Sequence, residues 1–207
     1  MGVTEEWNLL MSTLAERGSA DALTFLPPAA AEEVAQAEAA TTVWPDQLKE
    51  FYSLHNGQDP DNERFYGELL PAVWFFRVDY VVEEYAELVE HGRSEMEDDA
   101  ADADTNAGSG AGTESYVFLP QYVPLAGSDG DYYCLDTRPG EQSGCVRRWS
   151  TEGGDLPPSF ASIADMLAAV RQSIATDTVL EEVWVPTFMD DADYPEDRGA
   201  LTWVIPD

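Results

Sequence analysis

Four short segments rich in aromatic and β-branched residues follow one another in the third quarter of the chain. Asp129-Gly130 and Pro139-Gly140 mark turns between them, and strands joined by such turns pair in an antiparallel way. The predicted strands are residues 116–119, 122–126, 132–136 and 144–149. An antiparallel sheet is therefore the element around which the rest of this chain has to fold.

The first half of the chain has the apolar spacing of helices. One helix runs from Thr4 to a stop at Gly18, and a second lies in the Ala/Glu-rich stretch after Pro27-Pro28. A third begins at Trp44-Pro45. We expect Asn56-Gly57 to end it, because Asn and Gly favour the left-handed conformation that closes a helix.

The other elements follow from the same periodicities. The dense apolar run 69–78 predicts a buried strand, and a helix is expected from Asp79 to a stop at Gly92. A further helix follows Ser159. The last predicted elements are the two strands of a tail hairpin, residues 183–188 and 201–205.

Residues 94–114 interrupt these patterns. They contain no aromatic residue and little that is apolar besides Met96 and alanine, and six acidic residues precede an Asn/Gly/Ser tract. Such a segment cannot bury enough surface to order itself. We therefore expect a mobile acidic insertion within a single domain of residues 1–207, in which residues 176–207 form a C-terminal extension.

The charge of the chain excludes two classes of partner. It has 41 acidic and 10 basic side chains, so its formal net charge is 10 − 41 = −31. A protein that neutralises nucleic-acid phosphates needs a basic face, and an anionic membrane surface repels a chain of this charge. The N-terminus lacks the basic residues of a secretion signal and no apolar run is long enough to span a membrane, so we expect a cytoplasmic protein.

The sequence contains no complete catalytic or metal-binding motif. His55 and His91 lie in the predicted last turns of helices, where a histidine favours the helix dipole without any catalytic role. Cys134 and Cys145 belong to no Cys-x-x-Cys pair, and we expect both to be reduced. A cross-strand disulfide is the alternative if the hairpin turned on Pro139-Gly140 alone. We expect no cofactor, no metal and no enzymatic activity.

Several segments point in one direction when their order and spacing are taken together. They are P-P-A with the helix after it, W-P-D-Q-L-K-E-F-Y-S-L-H-N-G-Q at 44–58, Y-G-E-L-L-P at 66–71, V-P-L-A-G-S-D-G-D-Y-Y-C-L-D at 123–136, the 139–146 hairpin, and P-P-S-F-A-S-I-A-D-M-L at 157–167. In this order they resemble the SUKH superfamily, the domains similar to the Smi/Knr cell-wall regulators. The resemblance covers residues 25–175.

The resemblance implies an α+β fold of the SUKH type, with a central antiparallel sheet flanked by N-terminal helices and one C-terminal helix. It also implies a non-enzymatic, protein-binding role, because many bacterial relatives are immunity proteins that neutralise a partner toxin. A regulatory scaffold of the cell-wall-regulator type, without a toxin partner, is the alternative. An unrecognised hydrolase is the third hypothesis.

The acidic charge itself has two interpretations. It either attracts a basic partner such as a nuclease toxin domain, or it is a compositional background in which Lys49 is the single lysine beside nine arginines. Under the first interpretation, partner binding is expected at acids of the insertion and of the tail loop. Under the second, it is expected at an exposed aromatic residue such as Tyr132 or Tyr133. The candidate residues are Glu95, Glu97, Asp98, Asp99, Asp102, Asp104, Tyr132, Tyr133, Asp190, Asp191 and Asp193.

Overall fold

A computed structural model describes residues 1–19, 23, 25–59, 67–98, 109–190 and 195–206, and of residues 97, 98, 155 and 196 it describes the backbone alone. The helices of this part of the chain are α1 (Val3–Glu16), α2 (Ala31–Ala40), α3 (Asp46–Tyr52), α4 (Val78–Asp98) and α5 (Ile163–Thr176). The strands are β1 (Trp74–Phe75), β2 (Tyr122–Ser128), β3 (Asp131–Asp136), β4 (Cys145–Ser150), β5 (Gly154–Phe160), β6 (Val185–Phe188) and β7 (Leu201–Val204). A short 3₁₀ turn, Pro195–Asp197, precedes β7.

Strands β1 to β5 form one antiparallel sheet in sequence order, and β6 pairs with β7 in a separate hairpin. In the large sheet Tyr132 lies between Gly127 of β2 and Trp149 of β4. A register shift between Pro124 and Ala126 bends β2. The predicted α+β fold, with a central antiparallel sheet, N-terminal helices and a C-terminal helix, is confirmed, and so are the tail hairpin and the Asp129-Gly130 turn.

The two faces of the sheet are covered differently, because side chains alternate along each strand. One face buries Val123 and Leu135 in the main core, where α1, α3 and α5 pack. The opposite face packs Trp149 against Phe118 and under Leu88 of α4. Helix α4 therefore lies across the second face, and its first turns reach the edge of the sheet at β1 and β2.

A buried ion network, Asp136 with Arg138 and Arg147, lies on the second face. Asp136 accepts hydrogen bonds from Arg138 at 2.7 Å and from Arg147 at 2.9 Å. Its carboxylate also accepts the backbone N–H of Gly112, and both guanidinium groups donate to the carbonyl of Thr113. The end of the predicted insertion is thereby fastened to the sheet.

The predicted limits of the insertion are therefore wrong at both ends. Residues 94–98 belong to α4, which does not stop at Gly92. A Cβ on Gly92 would lie 2.4 Å from the carbonyl oxygen of Phe118, so this glycine permits a close crossing of two segments instead of ending a helix. At the other end, residues 109–113 contact the buried ion network. The middle of the insertion, residues 99–108, lies outside the described residues.

Two strand predictions also need correction, and one strand was not predicted. The run 69–78 contains only the two residues of β1, because the chain turns at Ala72, whose φ is 60°, and α4 already begins at Val78. Residues 116–119 are buried at Phe118 but form no strand. Strand β5 escaped prediction because Pro157 and Pro158 are typical of loops; they lie on an edge strand, where a missing N–H is tolerated.

Contrary to the prediction from the sequence, neither histidine lies in the last turn of a helix. Helix α3 ends at Tyr52, so His55 lies beyond it, and His91 lies inside the long helix α4. Cys134 and Cys145 are buried free thiols. They are not opposite each other, because Asp136 pairs with Cys145 across the hairpin.

Candidate protein-binding groove

The junction between β1 and α4 is built by the H-N-G-Q motif at residues 55–58. The side-chain oxygen of Asn56 accepts the N–H of Val78 at 2.9 Å and so caps the first turn of α4. Gly57 has a φ of 71°, and a Cβ there would lie 2.4 Å from the carbonyl oxygen of Phe76. Only glycine permits this approach, which sets the position at which α4 leaves the sheet.

Gln58 covers the open edge of β1. Its backbone N–H donates to the carbonyl of Phe75, and its side-chain oxygen accepts the N–H of the same residue. The side-chain amide nitrogen donates to the carbonyl of Gly67 at 2.9 Å. These bonds occupy the backbone groups that an edge strand would otherwise offer to another strand, so binding at this edge has to use side chains.

His55 packs in the core beneath the junction between β1 and α4. Its ring stacks on Trp7 at 4.3 Å and packs against Phe51, and its Nδ1 accepts the N–H of Gly57. Burial lowers the pKa of His55 to about 3, because the charged imidazolium is not solvated there. The histidine is thus a neutral core residue and does not take part in the chemistry of the surface.

An open groove of about 1020 Å³ lies above this junction, between β1, the β2–β3 turn and the first turns of α4. Its base is aromatic: a Cβ on Gly127 would lie 2.6 Å from the ring of Tyr132 and 2.8 Å from that of Phe76, so glycine lets both rings rest on β2. The groove is lined by Gln58, Asp59, Glu68, Ala72, Trp74, Phe75, Phe76, Arg77, Tyr80, Glu83, Glu84, Gly127, Ser128, Asp129 and Tyr132.

Glu84 is held in position by two tyrosines. The hydroxyl of Tyr132 donates to Glu84 at 3.0 Å, and the hydroxyl of Tyr80, one turn earlier on α4, also hydrogen-bonds to it. The bond to Glu84 raises the pKa of Tyr80 to about 12. Burial, followed by the charge of Glu84, raises the pKa of Tyr132. The carboxylate is therefore oriented by neutral donors, which leave its charge in place.

Other charged groups surround this carboxylate. Glu68 also lines the groove, and burial raises the pKa of its carboxyl. Arg77, the one cation among the lining residues, forms a two-point contact with Asp79, with both distances 3.2 Å. Five acidic side chains thus face one guanidinium among the described residues that line the groove.

The predicted partner-binding residues do not all lie at the groove. Tyr132 lines the groove, whereas Tyr133 is buried beneath the ring-stacked Arg148 and hydrogen-bonds to Glu181, so Tyr133 offers no surface to a partner. None of the acidic candidates whose side chains the structure describes lines the groove. Glu95 is half-buried beside His91 on α4, Asp190 pairs with Arg198, Glu97 and Asp98 are described by their backbone alone, and Asp99, Asp102, Asp104, Asp191 and Asp193 lie outside the described residues.

Sequence reasoning missed the acidic residues of the groove. Glu68, Glu84 and Asp129 come from segments far apart in the chain, and nothing in their local pattern distinguishes them from other surface acids. One signal was available. The segments 44–58, 66–71 and 123–136, which carry the family resemblance, all contribute residues to the groove.

The described residues contain neither a metal-binding cluster nor a membrane-spanning helix. No group of three or more His, Cys, Asp or Glu side chains there has the arrangement of a metal site. Among the same residues, no helix combines the length and apolar character that crossing a membrane requires.

Comparison with known proteins identifies the family. No curated protein matches the chain, but the family model described as SMI1 / KNR4 family (SUKH-1) matches residues 28–169, more than half of the sequence. This family generally comprises non-catalytic immunity and regulatory domains, which are associated with protein partners. The matched region includes every segment that contributes to the groove. The chain therefore belongs to the SMI1/KNR4 (SUKH-1) family.

Proposed function

We propose that this protein is a non-enzymatic immunity protein that binds and neutralises a basic toxin domain, such as a nuclease. The groove at the β1–α4 junction is its principal contact surface. Family membership supports the immunity role, and the charge of the groove supports the basic partner. Occupying the cationic surface of a nuclease would exclude its nucleic-acid substrate.

The observation that carries the proposal is the combination of acidic and aromatic side chains in the groove. Glu68, Glu83 and Glu84 line the groove together with Trp74 and Tyr80. Buried aromatic anchors with oriented charges beside them are typical of the centre of a protein interface. Asn, Gln or backbone groups alone would not select a cation in this way.

The insertion has a different role in this proposal. Helix α4 has 21 residues, and the groove uses its first two turns. At 1.5 Å per residue, Asp98 lies about 20 Å along the helix from Glu84. Acids at that distance act on the approach of a partner, because charges in 0.1 M salt are felt over about 10 Å.

The test is neutralisation of a basic toxin domain encoded by a neighbouring gene, and a neighbourhood without such a gene favours the regulatory scaffold. Co-expression should restore growth of cells that carry the toxin, and the two purified proteins should form a complex. Failure of both assays, with folded proteins, would contradict the immunity role. Binding without protection would favour the regulatory scaffold, and turnover of a substrate by the chain alone would favour a hydrolase.

Association kinetics separate the two acidic surfaces. Changing Glu95, Glu97, Asp98, Asp99, Asp102 and Asp104 together to Gln or Asn should slow association and weaken its dependence on salt, with little effect on dissociation. Glu84→Gln should instead speed dissociation. An association rate that ignores both salt and the six substitutions would leave the charge of the insertion as compositional background.

A further inference from the structure

We propose that the groove receives an arginine side chain of the partner, whose guanidinium pairs with Glu84 and lies against the ring of Tyr80. This inference rests on the proposed function for the identity of the partner, but the recognition chemistry can be tested without that partner. Three features of the structure support it. They are the orientation of the Glu84 carboxylate, the lack of a described counter-ion for that carboxylate, and the arrangement of the protein's own arginines.

Glu84 is already arranged for a two-point contact. A carboxylate offers about four lone-pair positions, and two tyrosine hydroxyls occupy part of them while fixing its orientation. Glu84 lines the groove, so its remaining lone-pair positions are available to a partner. A guanidinium, whose N–H groups form a rigid planar fork, matches this geometry better than an ammonium.

The charge of Glu84 is unbalanced within the described part of the molecule. No Lys or Arg of that part forms an ion pair with it, although Glu83 and Glu87 lie close by on α4. Arg77 lines the same groove but pairs with Asp79. A cation brought by a partner would therefore relieve repulsion between acids as well as gain a contact.

The chain's own arginines show the complete form of this arrangement. Arg138 and Arg147 each lie over the ring of Tyr122, at 5.2 and 5.1 Å, and both pair with the same carboxylate. Arg17 likewise lies over Phe188 while it pairs with Asp177. Among the described lining residues, Glu84 and Tyr80 supply the carboxylate and the aromatic ring of such a unit, and no arginine pairs with that carboxylate.

Tyr80 is the aromatic ring of the groove that is most available to a guanidinium of the partner. It is 40% exposed, lies one turn before Glu84 on the same face of α4, and is held by an edge contact with Phe76. Stacking on an aromatic ring favours guanidinium over ammonium, because the guanidinium is planar and more weakly hydrated. The proposal therefore predicts selectivity for arginine over lysine.

The experiment is a titration of the isotope-labelled, full-length protein with three N-acetylated, C-amidated tripeptides, Gly-Arg-Gly, Gly-Lys-Gly and Gly-citrulline-Gly, followed by NMR. Citrulline has the shape of arginine without its charge. We expect the arginine peptide to shift the backbone amides of Gly127 and Ser128 and the indole N–H of Trp74, which line the groove. The lysine peptide should bind more weakly, and the citrulline peptide should produce no saturable shift.

Two variants, Glu84→Gln and Tyr80→Ala, test the named residues, and Glu87→Gln is the control. Glu84→Gln should weaken arginine binding by about tenfold, which corresponds to about 1.4 kcal/mol. Glu87→Gln, which removes the same charge from an exposed site on the same helix, should change it less than about twofold. Tyr80→Ala should reduce the preference for arginine over lysine, and since its ring is partly exposed, this variant should fold even if Glu84→Gln does not.

The results separate this inference from the proposed function. Equal binding of arginine and lysine peptides, or unchanged binding in folded Glu84→Gln, would overturn the arginine site. Toxin neutralisation that survives Glu84→Gln undiminished would also overturn it while leaving the immunity role intact. Arginine-selective shifts in a protein that protects against no toxin would support the groove and contradict the immunity role.

Discussion

The two ends of strand β3 use carboxylates in opposite ways. At its end, Asp136 is fully buried and neutralised by Arg138 and Arg147. Near its start, Tyr132 donates a hydrogen bond to Glu84, which forms no ion pair with a Lys or Arg of the described residues. Arginine partners turn a carboxylate into part of the fold, whereas tyrosine donors orient a carboxylate and preserve its charge for a ligand.

This comparison predicts different sensitivity to mutation. Asp136→Asn leaves two buried guanidinium groups without their counter-charge, and breaking such a buried pair costs about 3–5 kcal/mol. Glu84→Gln, at the partly solvated groove, should cost less than about 1 kcal/mol. Urea denaturation of both variants measures the difference in the free energy of unfolding. Equal losses would mean that the groove carboxylate is also structural.

Two deletions test where the fold ends and the insertion begins. Replacing residues 99–108 with a short Gly/Ser link should change the free energy of unfolding by only about 0.6 kcal/mol, the effect of halving a flexible loop. Extending the deletion through residues 109–114 removes the carbonyl of Thr113 and the N–H of Gly112 from the buried ion network. That longer deletion should cost at least about 2 kcal/mol, because buried donors lose their acceptors.

A matching prediction concerns protease digestion. The composition of residues 99–108 predicts that limited proteolysis cleaves there first. Cleavage that begins instead within residues 109–114 would show that the contacts with Asp136 do not hold that segment in solution.

Acid should weaken the support beneath the groove through His55. Its pKa is about 3 in the folded protein and about 6.5 in the unfolded chain. Between these values the unfolded state binds the additional proton, so stability is lost as the pH falls from about 6.5 towards 3. The loss at pH 5 should reach about 2 kcal/mol, at 1.36 kcal/mol per unit of pKa difference.

The His55 effect can be isolated with two variants. His55→Phe should abolish this part of the pH dependence between pH 6.5 and 5, whereas His91→Gln, which alters a partly exposed histidine, should retain it. Chemical denaturation at several pH values measures both. A wild-type slope that persists in His55→Phe would place the responsible proton elsewhere.

A small effect is expected at the rim of the groove, where Ala72 has a φ of 60°. The left-handed conformation costs an L-residue about 1–2 kcal/mol, and glycine avoids that cost at the expense of a more flexible unfolded chain. Ala72→Gly should therefore stabilise the protein by about 0.5–1 kcal/mol in thermal denaturation. Destabilisation would show that the methyl group makes a contact that outweighs the strain.

Local patterns in the sequence were sufficient for most of the elements. Helices α1, α2 and α3, strands β2 to β4 and the tail hairpin follow from apolar spacing and turn residues. Predictions failed where a distant segment set the outcome. Glycine commonly ends a helix, but Gly92 lies within α4 under the carbonyl of Phe118. Asn56 was expected to end α3, but its side chain caps α4.

The groove was less predictable than the fold. The alternation of a strand predicted that one of Tyr132 and Tyr133 faces outward without deciding which, and the resembling segments contain several lining residues. Glu68 and Glu84 could not be selected, because each looks like an ordinary surface acid until the sheet brings their segments together. Tyr133 was selected with Tyr132, but the direction of the strand's alternation makes it a core residue.

The sequence by itself determined the excess of acidic groups, the alternation of helices and strands, and the family to which the chain belongs. Only the tertiary structure decided which acids are neutralised. Composition counts charges without regard to position, whereas the strength and role of a charge depend on its distance from other groups and from water. Asp136 and Glu84 belong to the same class of residue, and the fold places one between two arginines and the other between two tyrosines.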